Sequence, residues 1–423
     1  RGIVEGYSGN YWTVGERETI IQLLVQQKSN HYLFVLQHPS EGWKESFNSE
    51  IISHLKHILD LCKGKDIQVN FGISFSDSFN PSSLEDFKIA SSHYEIALSL
   101  GVQSFSFIFD RFRRMAEENY KDFRSLGHSH VHITNSIANI LKENLNKKSA
   151  TMNEKLSVQL FFYPCYSYSD VLQDRTNLPK LQIDYWKEIG KTLEATTSIY
   201  FHGPFAVSDL ITTQFIEKLR ELIKSRRVVI LDHFPSDESN LLSIRPYEGR
   251  EKSLHSVLQG ILLHPRSLSV ESALFSLFTG FEYLNDTQHY DPDRSIRSAI
   301  RSYVEDDRIT EDILYLISFL NRPKGSNSQS IWARYSSDFF VDLHNRIHHI
   351  RTSNIPSVIQ RVLKGFLDFV SLFATKQLNE PEKEITPSDL SKEILPSKEN
   401  NNNNIATTPA PSKKEDITIF NLK

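Results

Sequence analysis

The amino-acid sequence predicts an α/β fold, a (β/α)8 barrel of the TIM type followed by a helical region and a disordered tail. Three observations carry that prediction. Short apolar runs of strand length alternate with longer segments whose apolar residues recur at helical spacing. Eight such runs lie within about the first 285 residues, against about 250 for a typical barrel of this kind. No glycine-rich phosphate-binding turn follows the first run, which disfavours the competing fold, a doubly wound open sheet.

The first strand, Gly2–Glu5, leads to a helix over Val14–Gln26. Thr13 and, three positions on, Glu16 mark its start as a capping box. Tyr32–Leu36 precedes a helix over Ser49–Lys63, and Gln68–Ile73 precedes one over Leu84–Leu100. Ser104–Phe109 is followed by Ser129–Leu145. Val158–Tyr163 and Ser198–Phe201 are the fifth and sixth strands, with a helix over Thr213–Lys224 after the latter. Val228–Leu231 and Gly260–Leu263 complete the set, and Val270–Leu284 is the closing helix. The reading assigns a helix after every strand.

Beyond residue 290 the alternation stops. "TEDILYLISFL", "IWARYSSDFFVDLHNRIHHIR" and "SVIQRVLKGFLDFVSLFATK" are apolar at helical spacing. They give a helical appendage over 291–376 after a barrel over 1–290. Residues 377–423 are rich in Glu, Lys, Pro, Ser and Thr, with an asparagine run at Asn400–Asn404. Such a segment buries too little apolar surface to offset its chain entropy, so it is expected to be disordered.

Composition excludes several functions. A net charge of −4, with basic residues scattered, gives no footprint for nucleic acid or an anionic membrane; the cluster Arg111, Arg113 and Arg114 is too short to track a phosphate backbone. No stretch reaches the roughly 18 apolar residues of a membrane span. Two cysteines, Cys62 and Cys165, make neither a disulfide framework nor a metal pattern, which fits a reducing compartment, cytoplasm or nucleus. The chain opens on Arg1 and enters a strand at once, as an excerpted domain would, so targeting is not read from it.

In a barrel of this kind chemistry sits where strands end. Those ends read "EGYSG", "LQHPS", "SFSDS", "FDRF", "YPCYSY", "FHGP", "LDHFPSDE" and "LHPRS". They are rich in Tyr, Ser, Asp and His, which suits a sugar or another small polar ligand. Six pieces then occur in one order: "GIVEGYSGNYW", "FIFDRF", "SHVHITNSI", "FHGP", "VVILDHFPSDES" and "RPYEGR…GILLHP". Together they resemble the catalytic barrel of the O-GlcNAcase and bacterial hyaluronidase-type β-N-acetylglucosaminidases, glycoside hydrolase family eighty-four.

The resemblance implies substrate-assisted hydrolysis. The acetamido oxygen of the sugar attacks the anomeric carbon, and two adjacent aspartates after strand four orient it and protonate the leaving oxygen. Asp110 matches the first of them. Arg111 stands at the general-acid position, and a guanidinium is protonated at all working pH values, so it yields no proton to a leaving alkoxide. The resemblance also places sugar contacts at Gly6, Tyr7, Gln37, Tyr168, His233, Asp237, Glu238 and His264. Several depart from the family pattern: Gln37 replaces a lysine, His38 a carboxylate, His233 and His264 asparagines, and Leu231 a tryptophan. The strand-five tyrosine is Tyr166 or Tyr168, and the strand-seven carboxylate is Asp237 or Glu238. Gly6, Gly9, Asp232, Gly203 and Pro204 are retained. No metal and no organic cofactor is implied.

Plainer readings apply elsewhere. His233 and His264 read as polar rim residues rather than acids or bases. His128, His130 and His132 read as helix-surface or packing residues, "RIHHIR" (Arg346–Arg351) as a solvated helix face, and "ALFSLFTGF" as core. Three functions follow. The first is a domain with a depleted catalytic site that binds an N-acetylglucosamine-type glycan or a glycosylated protein with little turnover. The second is an active retaining hydrolase of N-acetylglucosaminides such as O-GlcNAc on proteins, with Asp237, Glu238 or His233 as proton donor. The third is a scaffold whose helical region mediates assembly, as a homodimer.

Overall fold

In the computed structural model, the residues described are 1–6, 11–36, 43–44, 47–115, 121–152, 157–169, 180–235, 244–266, 270–320, 337–356 and scattered positions over 359–375. Eight parallel strands close into a barrel in sequence order: β1 (Gly2–Glu5), β2 (His31–Leu36), β3 (Gln68–Ser76), β4 (Ser104–Arg111), β5 (Gln159–Tyr163), β6 (Ser198–Phe201), β7 (Val228–Asp232) and β8 (Gly260–Leu263). β8 returns to β1 through Gly2↔Leu262 and Ile3↔Leu263. The expected strand positions hold, with β3 and β4 running two or three residues further into the mouth than the apolar pattern alone suggested.

Alternation along each strand divides the core in two. Val4, Leu33, Val35, Ile108, Phe161, Tyr163, Tyr200, Val229, Leu231 and Leu262 fill the barrel interior. The opposite faces of the strands pack outward on the helices, in one continuous apolar layer that includes Phe71, Phe105, Phe107 and Ile230. Most strands, buried on both sides, leave near-continuous apolar runs in the sequence. β3 and β4 alternate instead, with Asn70, Ser104 and Ser106 buried on the inner face; both patterns made strands legible.

Helix α1 (Val14–Gln26) carries the expected capping box. The Thr13 hydroxyl accepts from Glu16 N–H, and the Glu16 carboxylate accepts from Thr13 N–H. α2 (Ser49–Cys62) follows β2, and α3 (Leu84–Leu100) ends on Gly101 at φ +108°, the left-handed conformation in which glycine closes a helix without a Cβ penalty. α4 (Leu126–Met152) is longer than expected at both ends. α5 (Lys180–Thr192) had no assignment of its own; it buries Tyr185, Trp186 and Ile189. α6 (Thr213–Leu222) follows β6, and α7 (Val270–Asn285) follows β8. Among the described residues no α-helix separates β7 from β8, only a single 3-10 segment at Lys252–Ser256.

After the barrel come α8 (Pro292–Arg301), α9 (Asp307–Leu320) and α10 (Ser337–Thr352). Asp291 caps α8 and Pro292 occupies its first turn, where a missing N–H costs nothing. The "RIHHIR" segment is solvated in part, with His348 and Arg351 exposed, but it also carries ion pairs. Arg346 reaches Asp312 at 2.6 Å and Asp342 at 2.9 Å, and His349 reaches Asp312 at 2.6 Å, so this part of α10 forms an ionic seam with α9. The stretch expected to be disordered, 377–423, lies outside the described residues. No described helix is long and apolar enough to cross a membrane, and Cys62 and Cys165 are both free and buried.

Candidate active site

Where the strands end, their inward-facing positions meet. Asp110 continues the inward series of Ile108 on β4, and Ser74 on β3 donates its hydroxyl to Asp110 Oδ1 at 2.8 Å. Regular pleating would send the next side chain to the other face. Here the β3–β4 register shifts: Ile108 pairs with Ser74 and Arg111 with Ser76, so Phe109 and Asp110 oppose Phe75 alone. A bulge of this kind bends the strand and re-aims its side chains. Arg111 Nε consequently lies 3.8 Å from Asp110 Oδ2, with the arginine about half exposed and the aspartate largely covered. Beyond the strand, Asp77 accepts from the N–H groups of Arg113 (2.6 Å) and Arg114 (2.9 Å), and Arg113 Nε donates to the Asp110 carbonyl at 3.1 Å.

At the end of β1 the backbone requires a glycine. Gly6 has φ +93°, and a Cβ there would lie 2.3 Å from the Val35 carbonyl oxygen. Glu5, just before it, is buried and receives Arg17 Nη2 at 2.7 Å, the Tyr32 hydroxyl and the Trp12 N–H at 2.9 Å. Its carboxylate thus joins β1 to the residues that follow the first mouth loop.

On the opposite arc three imidazoles lie side by side. His202, His233 and His264 extend the inward series of β6, β7 and β8, with ring centroids 4.1 Å and 5.0 Å apart in that order. Their exposures are 3%, 8% and 1%, so His233 and His264, expected on the rim, are buried inside the barrel. Burial pushes the His202 imidazole down to about 4 and that of His264 to about 3; His233 is lowered by burial and by His202, His264 and Arg266. At neutral pH they are uncharged, so His233 lacks the imidazolium proton that a general acid gives up. His202 Nδ1 donates to the Leu231 carbonyl at 2.5 Å, which fixes the tautomer so that Nε2 accepts from Tyr163 OH.

Asp232 is retained for a structural reason. Its carboxylate takes Tyr247 OH at 2.5 Å and Arg250 at 2.6 and 2.8 Å, and all three groups are buried, which pins the segment before β8. Gly203 (φ +125°) bridges to Tyr168, whose side chain is 43% exposed at the rim, whereas Tyr166 packs edge-on against Tyr185. His130 is buried, stacked on Phe109 at 4.3 Å, with Nδ1 2.8 Å from Tyr185 OH, so it packs behind β4. Tyr7, Gln37, Asp237 and Glu238 lie outside the described residues.

The structure therefore brings Asp110, Arg111, Gly6, His233 and His264 to one mouth. Three further residues there, Ser74, Tyr163 and His202, lie within the strand ends the sequence reading quoted but were not singled out by it. His202 had a signal, since Ser198, Tyr200 and His202 follow the two-residue inward period.

Comparison with known proteins agrees with this fold. Over 330 residues the chain is 24% identical to the Protein O-GlcNAcase of Rattus norvegicus and equally to that of Mus musculus. The match takes in 74% of this chain but 34% of each relative, so the chain spans about a third of their length. A solved O-GlcNAc hydrolase mutant from Thermobaculum terrenum superposes with a TM-score of 0.74 over 93% of this chain and 85% of its own, at 21% identity, a likeness of fold. The sequence model of the β-N-acetylglucosaminidase family matches residues 1–318. With most of its 423 residues so matched, the chain belongs to the β-N-acetylglucosaminidase family.

Proposed function

We propose that this O-GlcNAcase-type domain has a depleted catalytic site and binds an N-acetylglucosamine-type glycan, or a protein bearing one, with little or no turnover. The observation that carries the reading is the pair at the end of β4: the carboxylate of Asp110 has a guanidinium beside it, 3.8 Å away, where hydrolysis needs a second acid. A positioned general acid contributes about 10²–10⁴-fold to rate, and Arg111 is too strong a base to act as one. The neutral, buried imidazole of His233 does not replace it. Asparagine and lysine contacts are also exchanged, and each well-placed polar group is worth on the order of 2–4 kcal/mol in the transition state. The two buried thiols fit cytoplasm or nucleus, and helices α8–α10 are the surface through which we place a homodimer.

The test is fluorophore release from an aryl N-acetylglucosaminide. The wild-type chain should be no faster than its Asp110→Asn variant; clear turnover that this substitution abolishes would overturn the reading. Arg111→Asp restores the paired carboxylates and should raise the rate at least about tenfold. Failure to rise would place the loss in the rest of the pocket.

A further inference from the structure

We infer that Arg266, past the end of β8, makes the mouth selective for an acidic glycan whose sugar carries a phosphate or sulfate ester. The inference rests on the reading above that the mouth takes a sugar, and it names which kind.

Arg266 stands two residues beyond His264 and is exposed. Its charge acts on His202, His233 and His264 alike, so the guanidinium lies beside all three imidazoles at the open end of the barrel. Its backbone, at φ +53°, is in the left-handed region that residues with a Cβ seldom enter. Lys28, Lys224 and Ser225 share that conformation, but they follow the last turns of α1 and α6, where it closes a helix. Arg266 follows a strand, and backbone outliers of that kind concentrate at ligand clamps.

Two observations leave this corner of the mouth open to a ligand. Among the described residues the Arg266 guanidinium has no ion pair and no hydrogen bond. Asp232, which also acts on His202, is taken by Arg250 and Tyr247. Arg111 stands on the facing strand, β4, and is turned to Asp110. The second observation is His233, 8% exposed, with neither ring nitrogen in a hydrogen bond. The Ala206 carbonyl favours its protonated form but falls outside hydrogen-bond geometry. A buried polar group without a partner is costly, and a bound ligand removes that cost.

The chemistry selects the class of ligand. A guanidinium offers donors only, in a planar fork that matches two oxygens of an oxyanion. A neutral imidazole adds one N–H donor and one acceptor. Phosphate and sulfate esters present three acceptor oxygens, enough for the fork of Arg266 and the N–H of His233 together. The remaining ring nitrogen of His233 accepts from a hydroxyl of the same sugar. A cationic ligand would meet Arg266 as a like charge, and a neutral one would leave its donors to water.

Titration calorimetry on the full chain, at neutral pH and low salt, compares N-acetylglucosamine, its 6-phosphate, its 6-sulfate and inorganic phosphate. At least one ester should bind at least about tenfold more tightly than the neutral sugar, and added salt should narrow that gap. Whichever ester binds more tightly names the group. Arg266→Met should erase the preference, and Arg266→Lys, which keeps the charge without the fork, should retain part of it. If the methionine variant fails to fold, Arg266→Gln gives the same reading. Equal affinity for esters and neutral sugar, or a preference that survives loss of the guanidinium, overturns the inference and leaves the glycan reading intact. Inorganic phosphate held as tightly as the sugar phosphate keeps the oxyanion site but removes the sugar from it, which sinks that reading instead. No binding of any probe overturns both.

Discussion

Between pH 6.5 and 5 the folded protein is expected to lose most of its stability. Burial lowers His31 and His264 to about 3, and His93 and His202 to about 4, and it depresses His130 and His233 as well. In the unfolded chain each imidazole takes a proton near 6.5. Below that value the unfolded state binds more protons than the folded one, so stability falls as pH falls, and it is fully present above about 6.5. At pH 5 each such imidazole costs about 2 kcal/mol and four of them about 8, comparable with the 5–15 kcal/mol that holds an ordinary domain together. Circular dichroism melts across this range check the claim. A flat melting temperature from pH 7 to 5 would mean that these rings are solvated. His93→Gln should make the slope shallower by about one proton.

Arg17→Met is expected to destabilise the barrel by about 3–5 kcal/mol, the usual effect of leaving one buried charge without its partner. Arg17 and Glu5 are each 1% exposed, and the pair is joined by the Tyr32 hydroxyl and the Trp12 N–H. Removing the arginine strands the carboxylate in apolar surroundings. The double change Glu5→Gln/Arg17→Met removes both charges and should recover at least about half of that loss. Urea titration of the three variants measures it. A double variant no more stable than the single one would show that the contacts of Glu5 with Tyr32 and Trp12, not the stranded charge, dominate.

Much of the fold was legible because most of its strands are buried on both faces, and their apolar runs are bracketed by caps such as Thr13 and Gly101. The helix after β5 was expected but given no range, although Tyr185, Trp186 and Ile189 carry its buried face. Asp110 was legible as a carboxylate ending an apolar strand. Its partner Ser74 was not, since that hydrogen bond spans 36 residues and exists only through strand register. The burial of His233 and His264 was equally hidden. Sequence marks a strand's end, while the depth of that end inside the barrel depends on its neighbours.

The extra residue in β4 has a consequence for how this mouth changes over time. The kink belongs to the backbone and presents positions 110 and 111 on the same side whatever groups they carry. Converting a cationic pairing there into two acids would need no remodelling of the scaffold, only the exchange of a single codon.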